Sequence, residues 1–202
     1  MKLSIRLFMA AFAIATSSTS ALADALEEGI AAYRNKDYAK AAELWRPLAD
    51  KGIAPAQYQL GTLYAEGKGV EQNDAIAALW FERAANQGDA AAQYNLGASY
   101  IEGLGVKKDE AEAAKWFRKA ADQRMAFAQL NLGMLYASGR GVPQDNVEAL
   151  KWIELAVLGM PPGGPRSDAA RALKDIADKM TVEQVMEAKG RARTWRPEAE
   201  PK

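Results

Sequence analysis

At 202 residues, 49% of them apolar, the chain is long enough to bury the core of one domain. Its 26 basic and 26 acidic side chains balance, which excludes the one-signed field of a nucleic-acid or anionic-lipid binder. It has no His and no Cys, so the commonest metal ligands, the usual general base and the thiol nucleophile are all missing, and neither a metal site nor a cofactor is expected.

The first 23 residues read as a cleavable export signal. Lys2 and Arg6 give a positive start, Leu7 to Ala15 is an unbroken apolar run, and Ala21-Leu22-Ala23 supplies the small residues of a cleavage site. Cleavage after Ala25 also fits. An uncleaved membrane anchor is the competing reading, but nine apolar residues fall far short of the roughly 20 that span a bilayer. No Cys follows the run, so a lipoprotein anchor is excluded. The mature chain would carry 24 basic and 26 acidic side chains, span no membrane and reside in the periplasm or outside the cell.

Residues 24–52 predict a helix pair, Ala25 to Asn35 and Tyr38 to Asp50, with Pro47 able to bend the second helix. From residue 53 to 160 the chain repeats every 36 residues. Leu60-Gly61-Thr62-Leu63-Tyr64 returns as Leu96-Gly97-Ala98-Ser99-Tyr100 and as Leu132-Gly133-Met134-Leu135-Tyr136. Gly67, Gly69 and Val70 return in both later copies, as do Ala77, Trp80 and Ala84.

Each copy predicts two helices. The first runs from Pro55 to Glu66, from Asp89 to Glu102 and from Ala126 to Ser138, and ends at Gly67, Gly103 or Gly139. The second opens near Asn73, Asp109 and Asp145, whose side chains can cap free N–H groups. The invariant Gly61 and the small Ala77 and Ala84 imply helices crossing closely, with Trp and Tyr rings filling the space around them. Arg124 stands where the previous copy has Gly88, which predicts a differently shaped turn there.

Residues 161–196 predict capping helices. Met160 to Pro165 is expected to be non-helical. Ser167 would open a helix to about Met180, and the capping box Thr181-Val182-Glu183-Gln184 another to about Trp195. Residues 197–202 are expected to be a disordered tail.

The pattern Ala-x-Tyr-x-Leu-Gly-x-x-Tyr-x-x-Gly-x-Gly-Val, then Ala-x-x-Trp-Phe-x-x-Ala-Ala, resembles the Sel-like repeat (SLR) family, a branch of the tetratricopeptide-type α-solenoids. Ala92 to Gly97 and Ala113 to Ala121 match it most fully, whereas Ala32 to Tyr38 looks more like an ordinary tetratricopeptide unit. The resemblance implies an all-α, right-handed superhelical solenoid whose first helices line a concave groove, and it implies a non-catalytic adaptor for other proteins, tied in exported bacterial members to the cell envelope. Some exported relatives act on β-lactams, but they carry a disulfide in each repeat, which this chain lacks.

The sharper chemical signals each have a plainer explanation. Gly67-Lys68-Gly69-Val70 follows a helix rather than a strand and lacks a third glycine, so it reads as a turn and not a phosphate loop. The acids Asp109, Glu110 and Glu112 suit the positive end of a helix dipole. No serine-hydrolase or metalloprotease motif occurs, and no catalytic residue is singled out.

The groove is the better candidate. The slot before Leu-Gly holds Gln59, Asn95 and Asn131, amides able both to donate to and to accept from a peptide backbone. An equally open reading has these amides tie one repeat to the next. Neighbouring inward slots hold Thr62, Ala98 and Met134, and Glu66, Glu102 and Ser138; Phe127, Leu130 and Met134 would add an apolar anchor if exposed. The Lys and Arg residues that clamp carboxylates in related grooves are absent from these slots, which points to a neutral or basic extended segment. The expected partner is a protein or peptide held by a monomeric chain. A peptidoglycan or muropeptide ligand stands as the alternative, and a hydrolase of the cell wall or of β-lactams as the remote one.

Overall fold

A computed structural model describes residues 22–196 of the chain. The expected leader (apart from its last two residues) and the expected tail lie outside them. The described residues contain ten α-helices and no strand. Residues 22–34 form α1. It is followed by α2 (Tyr38–Asp50), α3 (Ala54–Glu66), α4 (Asp74–Ala85), α5 (Ala90–Glu102), α6 (Glu110–Asp122), α7 (Ala126–Ser138), α8 (Asn146–Gly159), α9 (Gly164–Ala177) and α10 (Val182–Thr194). The chain divides between Arg83 and Ala84 into two compact units.

Local chemistry sets the helix ends as the repeat predicts. Asp109 Oδ1 accepts from the amides of Ala111 and Glu112, and Asp145 Oδ1 from those of Val147 and Glu148. Asn73 caps α4 through the amide of Ile76. Gly67, Gly103 and Gly139 close α3, α5 and α7 at φ 65°, 76° and 69°, a left-handed conformation that costs a residue with a Cβ about 1 kcal/mol or more.

The turn at Arg124 overturns the expectation for it. Arg124 adopts φ 65°, with its N–H on Ala121 O and that of Met125 on Ala120 O. Gly88 and Asp89 make the same pair of bonds, to Ala85 O and Ala84 O, so the two turns are alike. The arginine occupies the strained position and holds its guanidinium 5.5 Å from the centre of the Trp195 ring. The start of α9 differs as well. It begins at Gly164 rather than after Ser167, because Pro165 sits in the first turn, where a missing N–H costs nothing. Pro47 lies inside α2, and the helix runs through it.

In the first unit, Trp45 is the centre of the core, packed with Ala41, Leu48, Leu60, Leu63 and Trp80. Its indole N–H reaches Leu26 O at 3.3 Å, and Gly29 leaves room for the ring. In the second unit, Phe117, Leu132, Leu135 and Trp152 form one cluster and Leu150, Ile153, Ile176 and Ala188 another. The invariant glycine of the first helices is a contact point. A Cβ on Gly61 would stand 2.8 Å from the Phe81 ring, one on Gly97 2.8 Å from the Phe117 ring, and one on Gly133 2.6 Å from Ile153 Cγ1. The aromatic ladder is core in the main: Trp45, Trp80 and Trp152 are buried. Trp116 and the tyrosines 64, 100 and 136 are half-buried, and the Lys119 ammonium lies 4.0 Å from the centre of the Trp116 ring.

Candidate functional site

Heptad-like spacing places four side chains of each first helix on one face: Pro55, Gln59, Thr62 and Glu66 on α3, Ala91, Asn95, Ala98 and Glu102 on α5, and Phe127, Asn131, Met134 and Ser138 on α7. The opposite faces carry Leu60 and Gly61 and their equivalents into the core, so every residue of these stripes is exposed or half-buried.

A cleft of ≈ 240 Å³ opens in the second unit. Ala98, Ile101, Phe117, Met134 and Leu135 form its apolar walls, and Glu102, Asn131 and Arg140 supply its polar groups. Three of the predicted residues, Glu102, Asn131 and Met134, therefore meet in one place. Phe127 lies beside it rather than in it, 45% exposed, with its ring 6.5 Å from that of Tyr94. Leu130, which was grouped with Phe127 and Met134, instead packs into the core. Asn95 does not line the cleft.

The predicted residues of the first unit are more occupied. The Thr62 hydroxyl donates to Tyr58 O of its own helix at 3.1 Å. Glu66 pairs with Lys68 at 2.8 Å and accepts from the Tyr33 hydroxyl at 3.4 Å. The bond to Glu66, and then that to Tyr33, hold the Lys68 ammonium above its ordinary range. The one lysine of the glycine loop is thus already engaged, and a Cβ on Gly69 would strike the backbone of Tyr38, as expected of a packed turn.

The side-chain amides of Gln59, Asn95 and Asn131 make no hydrogen bond among the described residues. The amides that tie helix to helix are others, which sequence reasoning missed. Gln57, Gln93 and Gln129 are buried and donate through Nε2 to the carbonyls of Ala49, Ala85 and Ala121 at 3.1, 3.2 and 3.2 Å. Their recurrence at 36-residue intervals was the available signal.

A basic side chain from outside the predicted slots, that of the loop residue Arg140, also lines the cleft. It is not free, however. Its guanidinium binds Glu110 through Nε at 2.9 Å and through a second nitrogen, and this bonding holds the Glu110 carboxyl below its ordinary range. Among the described residues no three His, Cys, Asp or Glu side chains are grouped to hold a metal, and no helix is long and apolar enough to cross a membrane.

The Sel1 repeat model matches four consecutive stretches of the sequence: 17–53, 54–89, 90–125 and 126–158. The chain belongs to the Sel1 repeat family. The first match takes in the helix pair that looked like an ordinary tetratricopeptide unit. No curated protein matches the chain. Among solved structures, a Sel1 repeat protein from Oxalobacter formigenes is similar, with 40% identity and a TM-score of 0.65 over 67% of this chain and 56% of that one. A protective antigen present in uropathogenic Escherichia coli strains, displaying an SLR fold, shares 28% identity with a TM-score of 0.56 over 85% of this chain and 44% of that one. The chain thus spans about half the length of these two Sel1-type structures.

Proposed function

We propose that this Sel1 repeat protein is an exported, non-catalytic scaffold that holds an extended segment of another protein on the exposed stripes of α5 and α7. The observation that carries the proposal is Asn131: a half-buried amide at the edge of an apolar cleft, with no hydrogen-bond partner for its side chain among the described residues. A side-chain amide offers both a donor and an acceptor, as a peptide backbone requires. Met134 and Phe127, each 45% exposed, supply apolar contacts beside it. Sel1 repeats generally serve interaction rather than chemistry, and the cleft holds no nucleophile–base pair. The charged start, apolar run and small-residue site at the N-terminus favour export to the periplasm or beyond, and with it a role in the cell envelope.

Crosslinking in intact cells, followed by reconstitution with the purified partner, tests the proposal. The complex should be lost in the Asn95→Ala/Asn131→Ala double variant while its helical circular dichroism is unchanged. Retention on purified peptidoglycan, with no protein partner captured, would favour the glycan reading instead. Cell fractionation that leaves the chain in the cytoplasm would refute export.

A further inference from the structure

Following from the scaffold reading, we propose that the cleft between α5 and α7 selects a segment in which a large apolar side chain stands next to a lysine or arginine. The volume sets the first half of this preference. At ≈ 240 Å³ the cleft lies below the roughly 300–1,000 Å³ of small-molecule pockets, and its walls are Ile101, Phe117, Met134 and Leu135, so it suits one buried apolar side chain. Ala98 keeps it open. Its equivalents in the neighbouring copies, Thr62 and Met134, are larger.

The charge of the rim sets the second half. Lys68, Leu104 and Arg140 occupy the same place, between two glycines, in the three inter-helix loops. In the first loop Lys68 neutralises Glu66 at 2.8 Å. In the second, Leu104 stands in its place, 49% exposed, and Glu102 is left with no ion pair or hydrogen bond among the described residues. In the third, Arg140 is bound directly by Glu110 and acts on Glu102 only at longer range. Arg140 is thus one cation set between two carboxylates, and Glu102, which it does not contact directly, leaves the rim net negative against an apolar wall. A cation following the buried side chain meets it, whereas an acidic residue there would be repelled.

Fluorescence anisotropy with the full chain and three labelled dodecapeptides provides the test. The first repeats Ala-Leu-Lys, the second Ala-Leu-Glu and the third Ala-Ser-Lys. The Leu/Lys peptide should bind more tightly than either of the others. Glu102→Gln should weaken it by up to about fivefold, the scale of one exposed ion pair, and strengthen the Leu/Glu peptide by relieving the repulsion. Glu102→Lys should invert the order of the Leu/Lys and Leu/Glu peptides. Equal binding of these two, both weakened by Asn131→Ala, would overturn the charge preference and leave the scaffold reading standing. Binding indifferent to Asn131→Ala and to Glu102→Lys alike would overturn both. No measurable binding of the Leu/Lys peptide would overturn the selectivity proposed here, and the crosslinking experiment then decides the scaffold reading alone.

Discussion

Gly97 and Gly190 are both helical glycines, yet their surroundings give a replacement by alanine opposite signs. Alanine is intrinsically better than glycine inside a helix by about 1 kcal/mol. At Gly190 a Cβ would meet nothing within 4 Å, so Gly190→Ala should raise stability by about 0.5–1 kcal/mol. At Gly97 the same Cβ would stand 2.8 Å from two atoms of the buried Phe117 ring. There the overpacking cost, about 1–3 kcal/mol, outweighs the helix gain, and Gly97→Ala should lower the urea midpoint. The sequence already pointed to Gly97 through its strict recurrence. The buried glutamines recur just as strictly, but a polar residue in a helix carries no mark that tells a buried hydrogen bond from a solvated face. Gln129→Met should cost about 0.5–1.5 kcal/mol on denaturant unfolding, because it removes one buried hydrogen bond to the Ala121 carbonyl, which keeps the one from the Arg124 amide.

Among the helices, α10 is fastened to α8 by a side-chain network around one carboxylate. Glu148, only 18% exposed at its side chain, accepts from the Trp152 indole N–H, from Lys151 and from Arg191. Burial pushes its carboxyl upward, but the bonds from Arg191 and Lys151 outweigh that and hold it below the ordinary value of 4.5. A carboxyl whose pKa is depressed by folding contributes stability that is fully present above its unfolded value and is lost as the pH falls through its folded one. Amide exchange in α10 should therefore quicken below about pH 4.5 relative to that in α6. Arg191→Ala should loosen α10 already at neutral pH, by roughly 1 kcal/mol. Most helix ends were legible because capping is local: Asp109, Asp145 and the Thr181–Gln184 box act within three residues of themselves. The turn at Arg124 was not, since what compensates its strained backbone includes Trp195, distant in sequence. The ion pairs that define the cleft were hidden for the same reason. Glu110 and Arg140 are 30 residues apart, a separation that matches no period of the repeat.

For the molecule as a whole, the lack of cysteine leaves helix packing to carry its stability, whatever compartment it enters. The last helix closes that packing in the second unit. Ala188 is buried among Leu150, Ile153 and Ile176, and the Trp195 ring meets that of Trp152 edge-on at 5.6 Å. A chain ending at Met180 should lose on the order of 5 °C in Tm and gain fluorescence with a hydrophobic dye as Ile153 and Trp152 become wet. Thiol reductants should leave both readings unchanged. Architecture was legible at this scale because 36-residue periodicity needs no knowledge of contacts. The proposed binding surface was legible only as a stripe, since its charge depends on which rim groups find partners.

Lys68, Leu104 and Arg140 each project from between two glycines whose backbone alone shapes the turn. The central position of such a loop is consequently free to vary without penalty to the helices on either side. A single codon change there would switch whether a neighbouring acid on the proposed binding face is paired, as Glu66 is by Lys68, so under that reading specificity can be rewritten one loop at a time while the framework stays fixed.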